Sequence, residues 1–163
     1  MSEVRLAASA EGPDGAPVVI LANPIGTTRA IWEAQARVLR ESYRLLRFEL
    51  RGHGVPGGRS DAPPGPYSIA ELGTDVLGLM REHGVTTAAY CGLSIGGMIG
   101  LWLAASAPER ISSLVVCCAA ITPMPSRQAW LDRAAQHTTR EEIRSGALAA
   151  SHSPIIPPME IPQ

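Results

Sequence analysis

The chain has 163 residues, with 14 basic and 15 acidic side chains giving a formal net charge of -1, and 45% hydrophobic against 18% charged residues. This is the composition of one ordinary folded domain, and without a long block of like charge it offers no electrostatic footprint for nucleic acid or an anionic membrane. No apolar run reaches the length of about 18 residues that a membrane helix needs, and Met1-Ser2-Glu3-Val4-Arg5 lacks a signal's basic and apolar regions, so a cytoplasmic protein acting on small molecules is expected.

Residues 4–8 and 18–22 read as strands separated by the turn Glu11-Gly12-Pro13-Asp14-Gly15, and Val18-Val19-Ile20-Leu21-Ala22 is apolar enough to be central. Asn23-Pro24-Ile25-Gly26-Thr27-Thr28 then leads into a helix on which Ile31, Ala34, Val38 and Leu39 keep helical spacing, with either threonine as its cap. Residues 43–50 give a third strand, followed by Arg51-Gly52-His53-Gly54 and a Pro/Gly-rich loop of surface composition to Tyr67. Ser68 and Glu71 form an S-x-x-E capping box ahead of Leu72, Val76, Leu79 and Met80, and Gly84 closes that helix. An apolar strand at 87–93, Ser94 and a second apolar helix ended by Pro108 come next, then a nearly unbroken apolar strand at 111–120. Cys91, Cys117 and Cys118 lie in these apolar stretches, which suits small buried hydrophobes in a reducing compartment rather than bridges or ligands. The four histidines have no metal-ligand spacing.

Strands and helices alternate, so the expected fold class is α/β, a mostly parallel sheet with helices on both faces. Residues 1–122 are assigned to this core. After Pro123-Met124-Pro125 the chain becomes more polar and helix-compatible, and residues 123–150 are expected to begin a cap over the site. Residues 151–163 carry too many prolines for helix or central strand and are expected to be extended or disordered.

The chemistry centres on Gly92-Leu93-Ser94-Ile95-Gly96, a G-x-S-x-G pattern between an apolar strand and a helix. Its glycines let strand and helix approach closely while the serine is held on a strained turn with its hydroxyl exposed, the arrangement of a nucleophile elbow. The plainer reading is a glycine turn whose serine caps the helix. A Walker loop would need Gly-Lys-Ser/Thr after Gly92 and a dinucleotide fingerprint a glycine in place of Ser94, so no nucleotide cofactor is expected.

Asn23-Pro24-Ile25-Gly26-Thr27-Thr28, Arg51-Gly52-His53-Gly54 and Gly92-Leu93-Ser94-Ile95-Gly96-Gly97 in this order resemble the α/β-hydrolase family. Within it the first loop, Trp32 and the elbow look most like 3-oxoadipate enol-lactonases of aromatic-compound catabolism, over about residues 4–145. Pro24 and Glu49 depart from that pattern, where such lactonases usually carry a small polar residue and an aspartate. The resemblance implies a small ester or lactone substrate, acyl transfer to Ser94, and an oxyanion hole with Ile95 N–H as one donor. The second donor comes from the loop after the earlier central strand, and because Pro24 has no N–H, Ile25 is best placed, with Gly26 next. His53 lies in a loop that should rim the site and is a candidate substrate contact; its plainer reading is a loop histidine beside the glycines that make the turn.

The acid and histidine of such a triad follow the serine in chain order, on loops after later strands. Those C-terminal strands are missing from the pattern. His137, His152, Asp132 and Glu141 read better as solvated surface residues than as triad members. The competing reading is therefore a non-catalytic, truncated hydrolase-like protein that binds a small carboxylic acid or a partner chain. For a charged substrate Arg51, Arg127 and Arg133 are weak candidates. The strand at 111–120 would keep an unpaired apolar edge open to self-association, which Val116→Lys should blunt if that position faces outward.

Overall fold

The strands pair in the order β1-β3-β2-β4-β5, with β2 (Val18–Ala22), β3 (Arg44–Phe48), β4 (Ala88–Leu93) and β5 (Ile111–Cys117) parallel and β1 (Ala8–Glu11) antiparallel on β3. The computed structural model describes residues 4–53 and 66–119. The α/β sheet expected from the alternation of elements is therefore present, and its central strands β2 and β3 are the most deeply buried.

Side chains alternate across each strand, and this divides the core in two. Ile20, Ala22, Leu46, Phe48 and Tyr90 point to one face, where they pack with Leu72, Val76, Leu79 and Met80 of helix α2 (Ile69–Glu82) and Ile99 and Leu103 of helix α3 (Ile95–Ser106). Leu45 and Arg47 take the other face, where the Arg47 guanidinium reaches Glu33 of helix α1 (Glu33–Leu39) at 3.1 Å and also pairs with Glu11 of β1. Helices thus cover both faces.

Helix α2 starts as its sequence specifies. The Ser68 hydroxyl accepts from Glu71 N–H at 3.2 Å, while the Glu71 carboxylate accepts from Ser68 N–H at 2.8 Å, so the capping box is closed in both directions.

Five local expectations need correction. The first strand is Ala8–Glu11 rather than residues 4–8 and enters the stretch read as a turn, because Glu11 gains an ion pair with Arg47 across the antiparallel ladder. Neither threonine caps the first helix. Thr28 makes no cap bond and the Thr27 hydroxyl donates to Pro24 C=O at 2.9 Å. The helix begins with a 3-10 turn, Arg29–Trp32, whose tighter winding rotates the buried stripe. Trp32 and Ala36 are buried, whereas Ile31 and Val38 are 44% and 70% exposed. The cysteines are not all buried: Cys91 and Cys117 are half-buried, and Cys118 is exposed with φ 51°, where the chain turns after β5. On β5, Val116 faces α3, since a Cβ on Gly97 would sit 3.1 Å from its Cγ1, while Val115 is 54% exposed on the opposite face.

The expected cap and tail, residues 123–163, lie outside the described residues, as do His137, His152, Asp132, Glu141, Arg127 and Arg133.

Candidate active site

Because β2, β3 and β4 are parallel neighbours, their C-terminal ends open on one edge of the sheet. The segments that leave this edge are residues 23–28, residues 49–53 and Ser94, the crevice position in which open α/β sheets hold ligands.

Only Ser94 separates β4 from α3, and it makes the turn with φ 57° and ψ -119°. A side-chain-bearing residue there costs on the order of 1–3 kcal/mol unless its surroundings over-determine it. They do. Ser94 N–H donates to Cys117 C=O at 2.8 Å, which extends the β4–β5 ladder, and Ser94 C=O accepts from Met98 N–H at 3.1 Å in the first turn of α3. Beneath the turn, the Tyr90 hydroxyl donates to Gly96 C=O at 3.1 Å, and full burial holds that phenol far above its ordinary pKa.

The two outer glycines of the motif are fixed by close approach. A Cβ on Gly92 would collide with the Gly96 carbonyl and lie 2.6 Å from Gly97 N, and a Cβ on Gly96 would strike the carbonyl of Ala22 in β2. The Ser94 hydroxyl makes no capping bond to α3 and has no hydrogen-bond partner among the described residues. Ile95, as the first residue of α3, has one of the N–H groups that a helix cannot satisfy internally.

The loop after β2 is tied down by hydrogen bonds within it and to neighbouring segments. Asn23, fully buried, donates from Nδ2 to Thr27 C=O at 2.9 Å, and Thr27 Oγ1 returns a bond to Pro24 C=O. Arg29 N–H donates to both carboxylate oxygens of buried Glu49 at 3.2 Å. Gly26 N–H donates to His53 Nε2 at 2.9 Å. Ile25 N–H, between these bonds, has no partner among the described residues. Asn23 Oδ1 and Trp32 Nε1 are likewise buried without one.

Ile25, Ile95 and His53 line one cavity of about 250 Å³ with Leu50, Arg51 and Tyr67. The structure therefore brings three of the four sequence-derived site residues around one space, and Ser94 adjoins it through Ile95. The polar groups on its wall are committed elsewhere. Arg51 Nε donates to Asp75 Oδ2 at 2.6 Å, its second nitrogen reaches Oδ1, and its guanidinium stacks 5.3 Å from the Tyr67 ring centroid. Asp75 is the main reason that Arg51 is held above its usual pKa. Arg51 is thus a structural cation, which removes it from the candidates for a substrate carboxylate. Gly26 N–H, the reserve oxyanion donor, is occupied by His53. That bond also uses the Nε2 acceptor of His53, so among the described residues no histidine is bonded to Ser94.

Glu49, Asp75 and Tyr90 were missed as supports of the site by sequence reasoning. Asp75 carried a signal, an acidic residue inside the apolar stripe of Leu72, Val76 and Leu79; Glu49 stood out only as a departure from the lactonase pattern, and Tyr90 read as an ordinary strand position.

Comparison with known proteins agrees with this architecture. Residues 17–151 match the family described as alpha/beta hydrolase fold. The chain is 36% identical over 132 residues to 3-oxoadipate enol-lactonase 2 of Acinetobacter baylyi, an alignment covering 81% of this chain and 48% of that protein. It is 35% identical over 120 residues to the proposed carbamate hydrolase RutD of Caulobacter segnis, covering 72% and 43%. The crystal structure of the enol-lactonase from Burkholderia xenovorans LB400 superimposes with a TM-score of 0.73 at 35% identity, over 90% of this chain and 57% of that one. The chain thus spans about half the length of the curated relatives it matches, 48% and 43% of the two named here. A serine on a strained strand-to-helix turn at the C-terminal edge of a parallel sheet, together with a family match across most of the sequence, establishes that the chain belongs to the α/β-hydrolase family.

Proposed function

We propose that this chain carries the nucleophile and oxyanion hole of a serine hydrolase acting on small carboxylic esters or lactones, by descent a 3-oxoadipate enol-lactonase. The observation that carries the reading is Ser94, whose hydroxyl is unpartnered among the described residues on a backbone at φ 57° next to the helix-terminal N–H of Ile95. In the reaction, Ser94 Oγ attacks the substrate carbonyl carbon as its proton passes to water, the oxyanion that forms accepts from Ile95 N–H and Ile25 N–H, and the leaving oxygen takes a proton from water. The C–O bond to the alcohol or enol then breaks, and water hydrolyses the acyl-serine.

No acid or histidine is bonded to Ser94 among the described residues, and the activity that Ser94 and the oxyanion donors support without them is weak. Removing triad members leaves about 10³- to 10⁴-fold catalysis over water from the oxyanion hole and binding. Slow p-nitrophenyl acetate hydrolysis is therefore expected, and Ser94→Ala should lower it; an equal rate in that variant would remove Ser94 from the nucleophile's role. We place the protein in the cytoplasm, a reading supported by its three free thiols. No described helix is long and apolar enough to cross a membrane.

The second reading, a non-catalytic binder of a small carboxylic acid or a partner chain, is favoured by one observation: no base is bonded to Ser94 among the described residues. A fluorophosphonate probe separates the two. Covalent labelling of Ser94 supports the hydrolase, and folded protein that resists labelling supports the binder.

A further inference from the structure

The loop that supplies Ile25 N–H is held by two clamps, one on each peptide unit flanking Ile25. The unit between Pro24 and Ile25 contains both the Pro24 carbonyl and the Ile25 N–H in one plane, so the Thr27 hydroxyl, bonded to that carbonyl at 2.9 Å, fixes the direction of the N–H. The next unit, between Ile25 and Gly26, is fixed from outside the loop by His53 Nε2, 2.9 Å from Gly26 N. Gly26 has φ 75°, a conformation in which a glycine peptide is otherwise free to turn. His53 is itself anchored, its backbone N–H donating to Leu50 C=O at 2.9 Å. Accepting from Gly26 requires Nε2 to carry no proton. The ring proton then sits on Nδ1, which faces the Arg51 carbonyl at 3.4 Å.

We propose that His53 is a positioning residue for the oxyanion loop: its Nε2 captures Gly26 N–H, so that of two successive loop N–H groups only that of Ile25 is presented beside Ser94. This rests on the reading of Ile25 as an oxyanion donor. It assigns His53 neither proton transfer from Ser94 nor direct contact with substrate. Without His53 the unit between Ile25 and Gly26 rotates, and the donor is no longer organised before the reaction begins.

The test has two arms. In the unaltered full chain, nitrogen-resolved NMR should show His53 with an unprotonated Nε2 and a through-hydrogen-bond coupling between that nitrogen and Gly26 N. In the second arm, p-nitrophenyl acetate kinetics compare His53→Phe, which keeps a ring without the acceptor, with His53→Gln, whose amide oxygen can take the Gly26 N–H. Losing an oxyanion donor outright costs at least ~10²-fold in kcat, so loosening one should cost His53→Phe roughly tenfold with KM unchanged. His53→Gln should recover much of that loss. A protonated Nε2 or an absent coupling overturns the proposal whether or not the variants fold. So does a His53→Phe variant with the parent's kcat, or a loss that falls equally on both variants. If Ser94→Ala retains the parent's rate while the coupling persists, it is the hydrolase reading that fails, and His53 is then a clamp on a loop with no oxyanion to serve.

Discussion

Ser94 and Cys118 are the non-glycine residues with positive φ among those described, at 57° and 51°, and they stand in opposite situations. Ser94 is held by backbone bonds and by the packing of Gly92 and Gly96, whereas Cys118 is exposed at the end of β5. The thiols differ accordingly. Burial first, and then the neighbouring Cys117, pushes the Cys91 thiol above its ordinary pKa, which reduces the reactive thiolate. A disulfide-exchange reagent at neutral pH should modify Cys118 first and Cys91 last, as peptide mapping of a time course would show; early loss of the Cys91 thiol would mean that it is more open than its half-burial indicates. Under the elbow, Tyr90→Phe removes the hydroxyl bonded to Gly96 and should cost about 1 kcal/mol in a denaturant titration, with fluorophosphonate labelling of Ser94 slowed only slightly.

At the scale of elements, the two helix starts show how far local sequence reaches. Helix α2 has a complete capping box, so Ser68→Ala should cost about 1 kcal/mol of stability. The backbone and side-chain bonds from Ser68, with the Arg51 charge a smaller influence, hold Glu71 below the ordinary carboxylate pKa. A carboxylate so depressed stabilises the fold above its unfolded pKa, and that contribution is lost as pH falls through the lower, folded value. The Glu71 side-chain resonance and the Ser68 amide should therefore titrate together, below the range of a free glutamate; independent titration would show the box to be open in solution. At α3 the turn is made by packing. Gly96→Ala drives a methyl into the Ala22 carbonyl of the neighbouring strand, a backbone obstacle that cannot rotate away. It should cost at least about 2 kcal/mol and abolish labelling of Ser94, because overpacking at this point moves the serine itself.

Over the whole molecule, the ion pairs differ in worth according to where they sit. Arg5–Glu82 lies at the surface, and its removal should leave stability nearly unchanged. Arg51–Asp75 is enclosed, with side-chain exposures of 9% and 5%, and joins the end of β3 to α2 behind the cavity wall. Asp75→Ala leaves the enclosed guanidinium only Glu71, at 4.0 Å, as a carboxylate partner among the described residues and should cost up to roughly 3–5 kcal/mol, whereas replacing both partners by apolar residues of similar volume should recover most of it. Equal losses in the single and double variants would mean that packing, not charge, dominates there. We propose self-association through β5, with Val115 as the position that governs it. Because Val115 is the exposed position and Val116 faces α3, it is Val115→Lys that should improve solubility in sedimentation at increasing concentration.

The sequence by itself determined what depends on short-range rules: the order of strands and helices, the parallel sheet implied by their alternation, the α2 capping box, and the G-x-S-x-G turn with Ser94 at its apex. Such features come from hydrophobic period, caps and glycine sterics, which act over a few residues. Tertiary structure alone decided where the strand β1 sits, because Glu11 is paired with Arg47 on β3, a partner 36 positions away whose pairing no local propensity encodes. It also decided which helix face is buried after the 3-10 turn, and which neighbouring valine of β5 faces the helices. At the site, the sequence named the residues but not their roles. Arg51, a candidate for substrate charge by sequence, is engaged by Asp75, and His53, a candidate substrate contact, has Gly26 N–H on its Nε2. A side chain's chemistry is set by what occupies its lone pairs and charges, and those occupants come from segments that are distant in the chain and adjacent only when it is folded.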